Sequence, residues 1–265
     1  MSTTDEARLP GELPLWEVPG WKARFGVVAG ITGRGRPGEP PFDLGLWGRQ
    51  PVGEAHARWR RFLASFSDFP SAVLAHQVHG HQVLWHPDAA PGWTLLEGAD
   101  GHATATAGRM LLVTVADCVP VYLVAPAQRA VALLHAGWRG TAAGILARGV
   151  ALLRERTGAA PGEIFGHAGV AISGPRYEVG REVMEGIGVP AAGPGPWHLD
   201  LREVLAAQAA GLGLAEFTRS GHCTSAEAAD FFSHRGSGGG DGRMVAYLGL
   251  KADGPSAMGD SGLSS

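Results

Sequence analysis

Three residues that commonly bind metals follow apolar, strand-like runs far apart in the chain. These residues are His79, Cys118 and His135. Short apolar runs of this composition are typical of buried β-strands. If the three strand ends meet, two imidazoles and a thiolate form a metal site with one free coordination position, which is the arrangement of catalytic zinc.

Each of these residues also has an ordinary structural explanation. The chain has 11 histidines, and most of them must be surface or hydrogen-bonded residues. Cys118 taken alone is more often a small buried side chain than a ligand. In an extended strand, His81 lies on the same face as His79 and competes with it, whereas His76 is expected on the opposite face.

An anion site is possible next to His135. If a helix begins close to Arg139, its free backbone N–H groups and the Arg139 guanidinium would bind a phosphate. A structural ion pair between Arg139 and a nearby carboxylate explains the arginine equally well. In the Phe-Phe-Ser-His-Arg segment at 231–235, the aromatic residues indicate core, while His234 and Arg235 could reach a pocket.

The composition indicates a globular protein with a small-molecule partner. Hydrophobic residues make up 45% of the 265 residues and charged residues 18%, which is enough apolar material for a sizeable core. The net charge of −3 gives no general attraction to nucleic acid or to an anionic membrane. No apolar run approaches the ~20 residues of a membrane span, and the first ten residues lack a secretion signal. We therefore expect a cytoplasmic protein.

Intermixed strands and helices predict an α/β or α+β fold, a single layered domain with mixed β-sheets flanked by helices. Strands are expected over about 24–31, 71–79, 81–86, 110–115, 120–125, 129–135, 164–172, 214–219 and 243–250. Helices are expected over about 54–66, 142–157, 177–187 and 199–210. Residues 15–252 are expected to form the domain, with flexible tails at 1–14 and 253–265.

Nine short segments occur in the order and approximate spacing of a known protein family. They are HQVHG (76–80), ADG (99–101), TVADCVPV (114–121), HAGWRG (135–140), YEVG (177–180), WHLDL (197–201), CT (223–224), FFSHR (231–235) and GRM (242–244). As a set they resemble the YfiH family, also called the laccase-domain family, over roughly residues 24–250. The resemblance implies a YfiH-like fold with zinc ligands at His79, Cys118 and His135.

The resemblance also implies purine nucleoside chemistry. Expected reactions are phosphorolysis of adenosine, inosine and S-methyl-5'-thioadenosine, with deamination of adenosine as a further activity. An open zinc site lowers the pKa of bound water to ~7, and deamination then needs a carboxylate as proton shuttle. The candidates for that shuttle are Asp100, Asp117 and Glu178. The candidates for binding phosphate or substrate are Arg34, Arg139, His234 and Arg235.

Other functions stay open at this point. Copper binds most nitrogen and sulfur sites more tightly than zinc, so a copper-loaded site could give polyphenol oxidase activity. Cys118 and His135 could instead be the thiolate and base of a metal-free cysteine hydrolase or amidase. A non-catalytic zinc-stabilised protein would need a fourth protein ligand, such as His81 or Cys223. The oligomeric state is not fixed by the sequence, with a monomer slightly favoured.

The chain departs from the family pattern where the substrate pocket is expected. Residues 32–36 read Thr-Gly-Arg-Gly-Arg in place of a TRxGG-like stretch, and residues 43–45 read Asp-Leu-Gly in place of Asn-Leu-Gly. Residues 169–172 replace the family's Gly-Pro-Ala-Ile, and residues 225–226 replace its Tyr-Cys. These changes leave the three metal-ligand candidates intact.

Overall fold

Two large β-sheets form the centre of the computed structural model, which describes residues 2–48 and 50–252. The strands are β1 (Ala7–Arg8), β2 (Leu15–Glu17), β3 (Val27–Thr32), β4 (Ser71–His76), β5 (Val83–His86), β6 (Gly92–Glu97), β7 (Gly101–Thr104), β8 (Arg109–Val115), β9 (Val119–Ala125), β10 (Ala130–Ala136), β11 (Phe165–Ala168), β12 (Glu178–Val179), β13 (Trp197–His198), β14 (Glu216–Arg219) and β15 (Met244–Leu250). The α-helices are α1 (Trp21–Phe25), α2 (Val52–Ala64), α3 (Trp138–Ala142), α4 (Ile145–Thr157), α5 (Arg181–Ile187) and α6 (Leu201–Leu212).

Strand pairing is mixed, as the sequence predicts. The seven-stranded sheet has the order β1-β2-β3-β15-β8-β4-β6, the six-stranded sheet has the order β14-β11-β9-β10-β7-β5, and β12 pairs with β13. Strand β4 runs parallel to β6 and β8, whereas β15 runs antiparallel to β3 and β8. The predicted fold class, mixed sheets flanked by helices, is therefore confirmed.

The two large sheets pack face to face, and helices cover their outer faces. The core between the sheets includes Leu111, Tyr122, Leu133 and Leu248. Helix α2 buries Trp59 and Phe62 against the seven-stranded sheet, and helices α4 and α6 cover the six-stranded sheet with Leu153 and Leu205. Full burial of one such side chain stabilises the fold by about 1.5–3 kcal/mol. Strands β9 and β10 are buried along their whole length, which makes them a rigid base for the residues at their ends.

Backbone breaks account for several differences from the predicted elements. One helix is predicted over 142–157, but Gly144 has a φ of 81° and separates α3 from α4. Gly158, with a φ of 77°, ends α4 where the sequence predicts the end. The strand predicted over 71–79 ends at His76, because the chain there turns into a loop that carries a predicted ligand.

The N-terminal segment does not form a tail over its described part, which corrects the expectation for residues 1–14. Strand β1 pairs with β2, and Thr3 forms an isolated parallel bridge with Arg219. Glu6 is buried, and its Oε1 lies 3.2 Å from Nε2 of His167. The polar composition of residues 1–14 suggested a tail, but strand pairing and the buried Glu6 carboxylate hold this segment against the rest of the fold.

Two further expectations concern the chain ends and membranes. The predicted C-terminal tail, residues 253–265, lies outside the described residues. The two sheets share one core, and a single domain over residues 15–252 stays a prediction. Over the described part of the chain, every helix falls short of the length and apolar character needed to cross a membrane.

Candidate metal centre

The three predicted ligands come together in the structure. Each of His79, Cys118 and His135 offers one potential ligand atom, and these atoms all lie within 4.8 Å of one another. His135 is the penultimate residue of β10, and Cys118 lies in the tight turn between β8 and β9. His79 follows the end of β4 by three residues. The predicted convergence is observed, although only His135 lies inside a strand.

A buried carboxylate from Asp100 fixes two of these residues. His79 has a φ of 57°, a left-handed conformation that is uncommon for a residue with a side chain. Asp100 Oδ1 accepts a hydrogen bond from the His79 backbone N–H at 2.9 Å, and Oδ2 accepts one from Gly80 N–H at 2.7 Å. Oδ1 also lies 2.9 Å from Nδ1 of His135. Because His135 donates from Nδ1 to Asp100, its Nε2 is the nitrogen left to bind a metal.

Asp100 is completely buried, and it lies behind the cluster. Burial works to raise the pKa of its carboxyl. The hydrogen bonds from His135 and from the backbone of Gly80 and Val78 outweigh burial, so the pKa is lowered. An ionised, buried carboxylate that accepts several hydrogen bonds is suited to orienting His135. It is poorly placed for the proton-shuttle role that the sequence suggested.

The surroundings of Cys118 favour the thiolate form of its sulfur. Burial works to raise the pKa of the Cys118 thiol, but the imidazoles of His135 and His79 lower it to about 6. Burial disfavours the charged form of His135, yet the thiolate and Asp100 raise its pKa. The thiolate is the form of cysteine that binds metal ions, so these contacts favour metal binding.

The space around the donor atoms fits a metal ion with tetrahedral geometry. Bond lengths of about 2.0–2.1 Å to nitrogen and 2.3 Å to sulfur would place tetrahedral zinc ligands roughly 3.3–3.6 Å apart. The three atoms lie within 4.8 Å of one another, so they would need to approach by about 1.5 Å at most. Gly137 provides the space, because a Cβ there would lie 3.1 Å from Cδ2 of His79 and 3.2 Å from Sγ of Cys118. Gly140 allows close packing, since its Cβ would lie 2.5 Å from the Gly80 carbonyl oxygen.

A fourth protein ligand does not join this cluster among the described residues. The group of His, Cys, Asp and Glu side chains close enough to share a metal has three members. His81 is exposed outside the cluster. Cys223 is buried elsewhere and its Sγ accepts a hydrogen bond from Ser173 Oγ at 3.1 Å. A metal held by these three residues would keep a coordination position open, as in catalytic zinc sites.

A cleft of about 1110 Å³ opens over the three metal-ligand candidates. Its walls include four of the predicted site residues, Asp117, Arg139, His234 and Arg235. Three predicted residues, Arg34, Asp100 and Glu178, are not among the residues that line it. The cleft is large enough for a nucleoside, since ligand pockets typically measure ~300–1,000 Å³.

Arg34 and Glu178 support the cleft from outside. Arg34 forms an ion pair with Asp241, and its guanidinium carbon lies 4.4 Å from the centre of the Phe232 ring. The side chain of Glu178 is exposed. Its backbone carbonyl supports the cleft wall by accepting a hydrogen bond from Arg235 Nη1 at 2.6 Å. Neither side chain is placed for direct contact with a molecule in the cleft.

Asp117 connects the cysteine turn to the His234–Arg235 loop. Its carboxylate accepts hydrogen bonds from Thr224 Oγ1 and from the backbone N–H of Arg235, each at 2.6 Å. Its φ of 87° is a strained value for a residue with a side chain. Each oxygen accepts one of these bonds, so Asp117 positions the loop, and its carboxylate also lines the cleft.

Two guanidinium groups face the cleft beside the metal-ligand candidates. Arg139 lies in α3, a helix of five residues that begins at Trp138, so the condition set for an anion site at this position is met only by a short helix. Within the described residues it pairs with no carboxylate, and its guanidinium carbon lies 4.4 Å from the centre of the Trp138 ring. Arg235 lies 5.1 Å from the Tyr177 ring. A structural ion pair therefore does not explain Arg139, and both arginines are available to an anion.

The sequence interpretation missed several residues of the cleft wall. Gln77 forms three hydrogen bonds with Thr114: its Nε2 donates to the carbonyl oxygen at 2.8 Å, while its Oε1 accepts from the backbone N–H at 2.7 Å and from Oγ1 at 2.8 Å. These bonds hold the residue that follows β4 against β8. Trp47 stacks on His76 with ring centres 4.6 Å apart. Gln77 and His76 lie within a recognised motif, whereas nothing in the sequence marked Trp47.

Comparison with known proteins gives consistent results for sequence and structure. The family model described as "Multi-copper polyphenol oxidoreductase laccase" matches residues 48–251. Purine nucleoside phosphorylase YlmD of Geobacillus stearothermophilus is 37% identical over 255 residues, covering 86% of this chain and 92% of that protein. Adenosine deaminase RL5, from an unknown prokaryotic organism, is 38% identical over 160 residues, covering 56% and 61%. The crystal structure of YlmD from G. stearothermophilus superimposes with a TM-score of 0.82 at 31% identity, covering 93% and 99%.

Proposed function

Because the chain belongs to the multi-copper polyphenol oxidoreductase laccase family, whose members include proteins named purine nucleoside phosphorylase and adenosine deaminase, we propose that it is a metal-dependent purine nucleoside enzyme. The proposed reactions are phosphorolysis of adenosine, inosine and S-methyl-5'-thioadenosine, and deamination of adenosine. One observation carries the proposal. His79 is held in a left-handed backbone conformation that brings a third donor to the Cys118–His135 pair.

We propose zinc as the metal held by His79, Cys118 and His135. When bound, zinc supplies a Lewis acid and lowers the pKa of a water molecule to about 7. Copper is the alternative, because two imidazoles and a thiolate also suit copper, and it would fit the family's description. A multicopper oxidase needs several ligand groups, and the described residues contain one such group. This observation favours a nucleoside enzyme over a polyphenol oxidase.

In the proposed phosphorolysis, Arg139 and Arg235 bind phosphate and direct one of its oxygens at C1' of the nucleoside. The new C1'–O bond forms as the C1'–N bond to the purine breaks, and the leaving purine nitrogen takes up a proton. His234, which lies on the cleft wall, is the proposed donor of that proton. Asp117 holds the loop that carries both His234 and Arg235.

A cysteine hydrolase is the second candidate, and one observation favours it. Asp100, His135 and Cys118 stand in the order of an orienting carboxylate, a base and a thiolate nucleophile. Substitution of His79 distinguishes the two candidate functions, because a metal-free hydrolase does not need a metal ligand at this position. His79→Ala should abolish metal binding and nucleoside turnover in the proposed enzyme, but should spare thiol-dependent amide hydrolysis in the alternative.

The decisive test is to incubate protein of known metal content with adenosine, with and without phosphate. We expect adenine and ribose 1-phosphate only when phosphate is present, and inosine in both conditions. Arg139→Ala should raise the phosphate concentration that is needed and leave the metal content unchanged. Arg148→Ala, on the exposed surface of α4, is the matched control. Metal-replete protein that converts no nucleoside, or phosphate dependence unchanged in Arg139→Ala, would contradict the proposal.

A further inference from the structure

Trp47 is an exposed aromatic residue on the wall of the cleft that holds the metal-ligand candidates. Its indole stacks on the ring of His76, with 4.6 Å between ring centres and an angle of 24° between planes. His76 Nδ1 in turn lies 3.0 Å from Oε2 of Glu97. With this support behind it, Trp47 still keeps 45% of its surface exposed. An indole packed on one side and accessible on the other is a surface on which a heterocyclic base can stack.

The other exposed hydrophobic residues do not share this position. Among the described residues, the large hydrophobic side chains exposed to a similar extent are Val52, Val78 and Leu95. They are absent from the lining of the cleft, whereas Trp47 and His76 both contribute to it. Exposure of Trp47 is therefore specific to the cleft wall.

Both elements that carry the stack are fixed to the core. Before Trp47, the carbonyl oxygen of buried Leu44 accepts a hydrogen bond from Trp59 Nε1 at 2.9 Å, and Asp43 Oδ1 accepts one from Arg243 N–H at 2.8 Å. These bonds hold the loop onto α2 and onto the start of β15. The loop that carries the Trp47 indole is therefore anchored to the core by hydrogen bonds.

The chain also keeps His76 close to the ligand cluster. His76 precedes His79 by three residues, which limits their Cα separation to about 11 Å at 3.8 Å per residue. Gln77, between them, is held by its three hydrogen bonds to Thr114. Trp47 and the three metal-ligand candidates line the same cleft, so a molecule bound there is offered both the indole and the cluster.

We propose that Trp47, backed by His76, binds the purine base of the substrate by stacking. This inference rests on the nucleoside function proposed above and adds to it the residue that selects the base. Stacking uses the π face of the base and does not read its edge groups. The neighbouring Gln77 amide is held by Thr114 through its oxygen and one of its two N–H donors, so it is not free to turn its edge towards the base. The site should therefore accept 6-amino and 6-oxo purines alike and bind the smaller pyrimidines less tightly.

Substitution of Trp47 in the full-length, metal-loaded protein tests this inference. Trp47→Ala should raise the dissociation constants of adenosine and inosine by about 5- to 150-fold, the range for losing one stacked base, and Trp47→Phe should raise them less. The affinity for ribose 1-phosphate, which lacks a base, and the metal content should not change. Leu95→Ala, an exposed apolar residue outside the cleft, is the matched control. Binding is measured by titration calorimetry, and turnover should show a raised KM with little change in kcat.

The outcomes separate the base-stacking inference from the proposed reaction. If Trp47→Ala binds adenosine within twofold of the unsubstituted protein, or loses affinity for ribose 1-phosphate to the same degree, the stacking role is wrong. If adenosine binding depends on Trp47 but no nucleoside is converted, the stacking role stands and the proposed reaction is overturned. If the unsubstituted protein binds no purine nucleoside, both are overturned.

Discussion

Replacing Asp100 with asparagine tests how the structure orients the metal-ligand candidates. The carboxylate accepts hydrogen bonds on both oxygens: Oδ1 from His135 and His79, and Oδ2 from Gly80 at 2.7 Å and Val78 at 3.3 Å. Asparagine has nearly the same volume but replaces one oxygen with an NH2 group. In either orientation of the amide, this group faces two N–H donors, so two hydrogen bonds are lost.

The magnitude follows from the number and type of these bonds. A hydrogen bond to a charged acceptor contributes about 1.5–3 kcal/mol, which gives an upper range of about 3–6 kcal/mol for two. The 78–80 loop is partly exposed, so water can satisfy some of the donors, and we expect a loss of about 2–4 kcal/mol in the free energy of unfolding. Loss of the residue that orients a metal-bound histidine typically weakens metal binding by about 10- to 100-fold.

Urea unfolding and zinc competition with a chelator measure the two effects. The control is Asp68→Asn, which removes an exposed carboxylate 3.6 Å from Lys251 and should change stability by less than about 0.5 kcal/mol. An Asp100→Asn protein that binds zinc within threefold of the unsubstituted protein and unfolds at the same urea concentration would refute the role assigned to Asp100.

Three further substitutions probe the site and the fold. Gly137→Ala places a Cβ 3.1–3.2 Å from two ligand side chains, so zinc affinity and turnover should fall, and unchanged zinc affinity would contradict this. Burial works to raise the pKa of Glu6, but the His167 hydrogen bond and other contacts lower it. Glu6 therefore stabilises the fold above its unfolded pKa of about 4.3, and that contribution is lost as the pH falls. The destabilisation caused by Glu6→Gln, about 1–3 kcal/mol at pH 7, should shrink towards pH 3 in urea unfolding, whereas a pH-independent difference would refute it. Leu134→Ala, at a fully buried position, should cost about 2–5 kcal/mol in the free energy of unfolding without changing zinc content; a loss below 1 kcal/mol would show that the core adjusts.

The central strands were the most predictable part of the fold. Strands β8, β9 and β10 lie within one residue of the predicted bounds, because strands buried on both faces leave continuous apolar runs in the sequence. The same runs located Cys118 and His135. Strand β6 was missed because most of its residues are exposed, and the N-terminal strand was missed because Glu6 is satisfied by partners more than 160 residues away.

The roles of the charged residues were less predictable, because they depend on direction and distance. Asp100 lies 35 residues before His135, and the sequence cannot show that its side chain points behind the imidazole and away from the cleft. The same limit applies to Asp117, whose partners Thr224 and Arg235 are more than 100 residues away. Chemical type identified these carboxylates as candidates, and packing decides what each can do.

X-ray absorption at the zinc edge of the purified protein tests the central claim, that one metal ion is bound by His79, Cys118 and His135. We expect one metal ion per chain, with one sulfur neighbour at about 2.3 Å and two imidazole nitrogens at about 2.0–2.1 Å. A bound metal surrounded only by nitrogen and oxygen, with no sulfur neighbour, would contradict the account.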